Sequence, residues 1–133
     1  MQAPFIFIAT HKIKPGKREQ FKQYFARFSL DVVEPKEPRL HSFYGYAAPD
    51  SDYVTVVQVH PDADSMATHM KVGVEHFATA YAEYLEPESA MQIYGNLTEE
   101  LIQAISAAAQ TDEGASSVTI CEPFTGFDRL PHS

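Results

Sequence analysis

The residues best suited to chemistry in this chain are histidines set among apolar and aromatic neighbours. The stretch "MATHMKVGVEHFATAYAEYL", residues 66–85, carries His69 and His76 seven positions apart. In a helix that is two turns, about 10.5 Å along the axis at about 1.5 Å per residue. Metal–nitrogen bonds are about 2.0–2.1 Å long, so one ion is not held by both rings unless the helix breaks. A proton-transfer role suits them better, since an imidazole titrates near pH 6.5, roughly, when unperturbed. His69 and His76 are therefore the candidate catalytic residues, with His69 ahead. Tyr81, Tyr84 and Phe77 on the same stretch, and Phe25 upstream, could line a cleft around a substrate. The competing interpretation places both histidines at the edge of a packed stripe and the aromatic residues in a core or subunit interface.

Two more histidines close apolar segments. His60 ends "DYVTVVQVH" on the same face as Gln58, and His11 lies near the end of "FIFIATHKI". In neighbouring strands these polar ends would gather at one end of a sheet and add to a binding site; otherwise they face solvent. His41 and His132 take no role. There is no glycine-rich phosphate loop, no H-E-x-x-H, no paired C-x-x-C and no G-x-S-x-G elbow, which argues against nucleotide-dependent, metal-dependent and common hydrolytic chemistry. No metal and no cofactor is expected.

The elements that must position these residues follow from periodicity. Residues 5–13 alternate as a strand, with Phe5, Phe7, Ala9, His11 and Ile13 on one face and Ile6, Ile8, Thr10 and Lys12 on the other. "KPGKREQFKQYFARF" reads as a helix with Pro15 in its first turn, Phe21, Tyr24, Phe25, Phe28 and Val32 on its buried face, and Pro35 and Pro38 ending it. "LHSFYGYAA" and "DYVTVVQVH" flank the turn "PDS" and should pair antiparallel. Asp62 or Asp64 caps the histidine-bearing helix, which runs to Leu85 with a break or kink at Gly73. Residues 90–95 form a fourth strand. A helix from Asn96 as cap, with Glu99 as its capping-box partner, follows, its face lined by Leu97, Leu101, Ile105 and Ala108. Residues 110–116 read as a loop, and a short fifth strand comes after it.

The order β-α-β-β-α-β indicates a ferredoxin-like α+β unit over residues 5–95, extended by a C-terminal helix and strand over 96–133, all in one domain of 133 residues. A sheet covered by helices on one face, yet apolar on both, leaves a surface suited to a two-fold dimer. A net charge of −8 without a basic cluster makes nucleic-acid binding unexpected. The single cysteine, Cys121, excludes an internal disulfide and suits a reducing cytoplasm. The N-terminus carries neither a signal-peptide pattern nor a membrane span, so no membrane partner is expected. The sequon at Asn96 is then read as the start of a helix.

"KPGKREQF" after a first strand, and "MATHMKVGVEHFATAYAEYL" before a strand ending "IYG", resemble the antibiotic biosynthesis monooxygenase family. "EPFTGFDR" resembles the tails of bacterial members. The resemblance spans residues 5–95. It implies a homodimer of ferredoxin-like subunits, a dimeric α+β barrel with a pocket between sheet and helices. The family's second-helix histidine falls on His69, and a His-Phe pair on His76 and Phe77. Members include cofactor-independent monooxygenases of quinols and polyketide-derived phenols, haem-degrading enzymes and isomerases. The chain has no Trp and no convincing counterpart of the haem-ligating histidine, which weakens the haem reading and leaves it third.

The expected function is thus a cofactor-independent monooxygenase, or related enzyme, of a small aromatic or quinol-like compound. His69 or His76 would be the base. The alternatives are a non-catalytic dimeric small-molecule-binding or stress-associated protein on the same scaffold, and then haem binding.

Overall fold

The computed structural model describes residues 3–109 and 116–129. Most of the expected 110–116 loop, and His132, lie outside the described residues.

Strand β1 (Phe5–Ile13) lies at the centre of a five-stranded sheet of order β2-β3-β1-β4-β5, with β2 Ser42–Ala47, β3 Tyr53–His60, β4 Leu85–Tyr94 and β5 Ser116–Cys121. Neighbouring pairs are antiparallel except β4 and β5, which run parallel. Register sets the two faces. Phe5 pairs with His60, Phe7 with Gln58, Ala9 with Val56 and His11 with Val54, so these side chains share one face. Helices α1 (Arg18–Phe28), α3 (Ala63–Val72), α4 (Val74–Glu83) and α5 (Glu99–Ala109) supply the apolar residues that cover this face. Two apolar clusters form beneath them. One joins Phe5, Phe7, Ile93, Met66, Leu101 and Ile105; the other joins Ile13, Phe21, Val54, Ala80 and Leu85.

The opposite face carries Ile6, Ile8, Val57 and Val59, with Tyr44, Tyr46 and Tyr53 all more than half exposed. This is the ferredoxin-like α+β architecture expected from the element order.

Several boundaries differ from expectation, each for a local reason. Pro15 sits with Gly16 in a turn ahead of α1, and Gly16 adopts φ 77°, the left-handed conformation that favours glycine. The helix does not end at Pro35. It continues through a π-helical turn, Ser29–Val33, into the short α2 (Glu34–Lys36), whose first turn accommodates Pro35. The wider π turn shifts the buried face by one position, so Val33 is buried in place of Val32. Leu85 opens β4 instead of closing the preceding helix, and the pairing of β1 with β4 is irregular between His11 and Ile13. Thr98, not Asn96, caps α5: its Oγ1 accepts from the Leu101 N–H at 3.2 Å. Asp62 does cap α3, accepting from the Ser65 N–H at 3.0 Å, and Gly73 separates α3 from α4.

Gly45 on β2 has a packing role. A Cβ there would stand 2.9 Å from the ring of Phe25, so glycine lets α1 settle on the sheet edge.

Candidate active site

Between the helices and the covered sheet face lies a cavity of about 570 Å³. Its lining includes His11, Gln58, His69, His76, Tyr81, Phe77 and Phe25. The antiparallel register, with Phe5 opposite His60 and His11 opposite Val54, sets His60 and His11 at opposite ends of the β1–β3 pair and not together at one end as expected. Two candidates are not in the lining. His60 is buried just behind Gln58, and Tyr84 packs against Phe21 and Tyr24 in the second apolar cluster. Tyr84 therefore packs in that cluster, outside the cavity lining.

His69 shows the clearest chemistry. It projects from the last turn of α3 and is fully buried. Its Nδ1 lies 2.9 and 3.0 Å from the two carboxylate oxygens of Glu37, which is also buried. A carboxylate only accepts, so Nδ1 carries a proton, and in the neutral form of the ring the lone pair is on Nε2. That Nε2 is buried and has no hydrogen-bond partner among the described residues. Leaving a buried polar atom unsatisfied costs about 1–3 kcal/mol, an expense typical of functional positions. Phe43 and Phe77 approach the ring, at 5.3 and 6.0 Å between centroids. The result is an oriented imidazole inside an aromatic enclosure.

Glu37 was not among the residues singled out by sequence reasoning. It sits in "EPKEPRL", where a charge between two prolines reads as a solvated loop. The π turn and α2 carry it inward, and its N–H donates to the Val33 carbonyl at 2.9 Å. Only the placement of Pro35 inside a helical turn could have hinted at this.

Behind His69 a second imidazole is fixed by neutral partners. His60 Nε2–H donates to Gln58 Oε1 at 2.9 Å, and its Nδ1 accepts from the Ser65 hydroxyl at 2.7 Å. Burial first, and then the neighbouring His69, push its pKa down to about 3. This ring stays neutral and braces His69, 6.0 Å away between centroids.

His76 is held differently. Its ring is stacked between Phe28, 3.6 Å away, and Tyr24, 4.8 Å away. Burial, with minor contributions from His69 and His11, lowers its pKa to about 4. No carboxylate orients it among the described contacts. His76 and His69 thus line one cavity, as their shared face implied, but only His69 has the support a base needs.

At the far end of the cavity the Tyr81 hydroxyl meets His11 Nδ1 at 3.2 Å and also bonds Ser89. Burial raises the pKa of Tyr81 and lowers that of His11 to about 4, so both groups are neutral. Among the described residues no three His, Cys, Asp or Glu side chains are grouped to hold a metal ion, and no helix is long and apolar enough to cross a membrane.

Neither a protein-family model nor a curated protein matches the sequence. Solved structures do match. MupZ from Pseudomonas fluorescens superposes with a TM-score of 0.68 at 16% identity, over 95% of this chain and 94% of that one. A conserved protein from Methanosarcina mazei gives 0.59 at 22% identity, over 70% of this chain and 92% of that one. A proposed antibiotic biosynthesis monooxygenase from Caulobacter crescentus gives 0.58 at 19% identity, over 69% and 88%. The MupZ match takes in the C-terminal helix and strand as well as the core. These likenesses identify the fold: the chain has the ferredoxin-like α+β architecture found in structures named as antibiotic biosynthesis monooxygenases.

Proposed function

We propose that this protein is a cofactor-independent monooxygenase in which the Glu37–His69 pair takes a proton from a small phenolic or quinol-like substrate. The observation that carries this is the unpartnered, buried Nε2 of His69, backed by a carboxylate at 2.9 Å on Nδ1. A proton taken at Nε2 makes an imidazolium that Glu37 stabilises in a low-dielectric setting. The substrate anion left behind is electron-rich and reacts with O2. Electrons balance without a cofactor when a ring CH2 becomes C=O, because its two hydrogens leave with the second oxygen atom as water. The apolar lining excludes bulk water from that anion. Phe77, 37% exposed and edge-on to His69, is part of the cavity wall beside that ring. The name of the Caulobacter neighbour, a proposed antibiotic biosynthesis monooxygenase, supports a monooxygenase on this fold.

A panel of hydroquinones and anthrone-type phenols, followed by O2 uptake, tests this. Wild-type protein should consume O2 with at least one member, and His69→Gln should not. Rates unchanged by His69→Gln would sink the proposal. A small molecule retained through purification but never turned over would instead favour a binding protein.

The open sheet face fits a second copy of the chain. Ile6, Ile8, Val57 and Val59 form an apolar strip bordered by tyrosines, which a two-fold axis would bury against itself. Sedimentation should give a dimer, and Val57→Lys should give a monomer. A monomeric wild type would exclude this arrangement.

A further inference from the structure

We propose that the His11–Tyr81–Ser89 cluster is a second polar subsite, and that the cavity takes an elongated ligand bearing an oxygen function at each end. This rests on the assignment of the cavity as the substrate site and specifies which substrates fit.

The argument is one of spacing. The Glu37–His69 end is anchored to the sheet through His60 and Gln58, and Gln58 pairs with Phe7. His11 lies four residues beyond Phe7 on the same face of β1, a backbone separation of roughly 13 Å at about 3.3 Å per residue. Ala9 and Val56 form the floor between the two ends, and Met70, Met91 and Phe77 also line the space. These five side chains are apolar, and the polar ring near both ends is His76. Of the remaining polar side chains in the lining, Lys14 Nζ donates to the Ala82 carbonyl at 3.0 Å and Gln58 accepts from His60. His76 is stacked on Tyr24 and Phe28 and keeps a buried Nδ1 without a partner among the described residues.

The far cluster is built to meet an uncharged oxygen. Tyr81 retains its proton, because burial disfavours the phenolate; its oxygen accepts from Ser89, a bond that lowers its pKa, and this assigns the phenol proton to the bond with His11 Nδ1. That bond leaves the proton of the neutral imidazole on Nε2, a donor for a carbonyl or hydroxyl oxygen. The pairing of β1 with β4 is irregular just beyond the pair His11 and Ser89. Such irregularities re-aim side chains and are over-represented beside active sites. A ligand of two or three fused or linked rings, with oxygens at opposite ends, matches this layout. One oxygen would reach His69 and the other His11 and Tyr81.

Calorimetric titration under argon with 4,4′-dihydroxybiphenyl and 4-hydroxybiphenyl provides the test, because turnover is not needed. Wild-type protein should bind the diol about five- to tenfold more tightly, the effect of one further buried hydrogen bond. In Tyr81→Phe and in His11→Phe the diol should fall to the affinity of the monophenol, whose own affinity should not change. Equal affinities in the wild type would overturn the subsite. So would no binding of either probe, or an equal weakening of both in the two variants. If the diol preference holds while no panel compound consumes O2, the subsite stands and the oxygenase assignment fails.

Discussion

His69 and His76 occupy one helical stretch and line one cavity, yet the fold treats them in opposite ways. His69 is held through its edge by a carboxylate, which fixes the tautomer and leaves one nitrogen as a directed lone pair. His76 is held through its faces by Phe28 and Tyr24, contacts that fix the plane of the ring but give no preference for either nitrogen. A histidine in an apolar pocket is therefore not a base by location alone. The orienting partner makes the difference, and here that partner comes from a segment more than thirty residues upstream.

The contrast can be broken most severely at His69. His69→Gln keeps an N–H donor for Glu37 but removes the proposed base, and O2 uptake on an active substrate should fall about 10²–10⁴-fold. Calorimetry should show a melting temperature close to wild type, separating the loss from unfolding.

Glu37→Gln should come next. The amide can offer its own hydrogens to the imidazole, which permits the wrong tautomer, so turnover should fall by about 10²-fold or more. Glu37→Ala should in addition destabilise the fold by about 1–3 kcal/mol, because the Nδ1–H is left buried and unpaired. Denaturant titration reads that cost.

The third prediction concerns pH. His60, His76 and His11 fold with pKa values lowered to about 3, 4 and 4, chiefly by burial. Unfolded, each would bind a proton near pH 6.5, roughly. Between those values the unfolded chain holds more protons than the folded one, so stability rises with pH. Stability should be complete above about pH 6.5 and decline as the pH falls toward about 4. Melting temperatures recorded from pH 8 to pH 4 would show this, and a flat profile would contradict it.

The smallest effect should be at His76. Replacing it with Phe keeps a ring in the stack, so stability at pH 7.5 should change by less than about 1.5 kcal/mol and turnover by only a few-fold. The acid side of the melting profile should become shallower, since one titrating group is gone. A loss of turnover as large as that of His69→Gln would erase the distinction drawn between the two histidines.

Much of the frame was legible in the chain. The alternation of Phe5, Phe7, Ala9, His11 and Ile13 placed five side chains on one face, and that face is the one the helices cover. Gly73 marked the helix break, and the turn signal at 49–51 marked the hairpin. The seven-residue spacing placed His69 and His76 along one cavity. The helix ends were harder to read. Pro35 looked like a stop, but a π turn absorbed it, and the same turn exchanged Val32 for Val33 at the buried position. Tyr84 fell on the expected stripe but turned into the core, because α4 ends before it and its backbone leaves helical geometry.

What the sequence determined alone is what depends on short-range periodicity: which residues share a strand face or a helix face, and hence the β-α-β-β-α-β order with its C-terminal extension. What only the tertiary structure decided is which polar atoms meet. Glu37 and His69 are 32 positions apart, and His11 and Tyr81 are 70 apart. Local pattern carries no signal for such pairs, because a carboxylate in a proline-flanked turn looks the same whether it faces water or an imidazole. Closure of the helices over the sheet removes the water, and the buried imidazole then becomes its hydrogen-bonding partner.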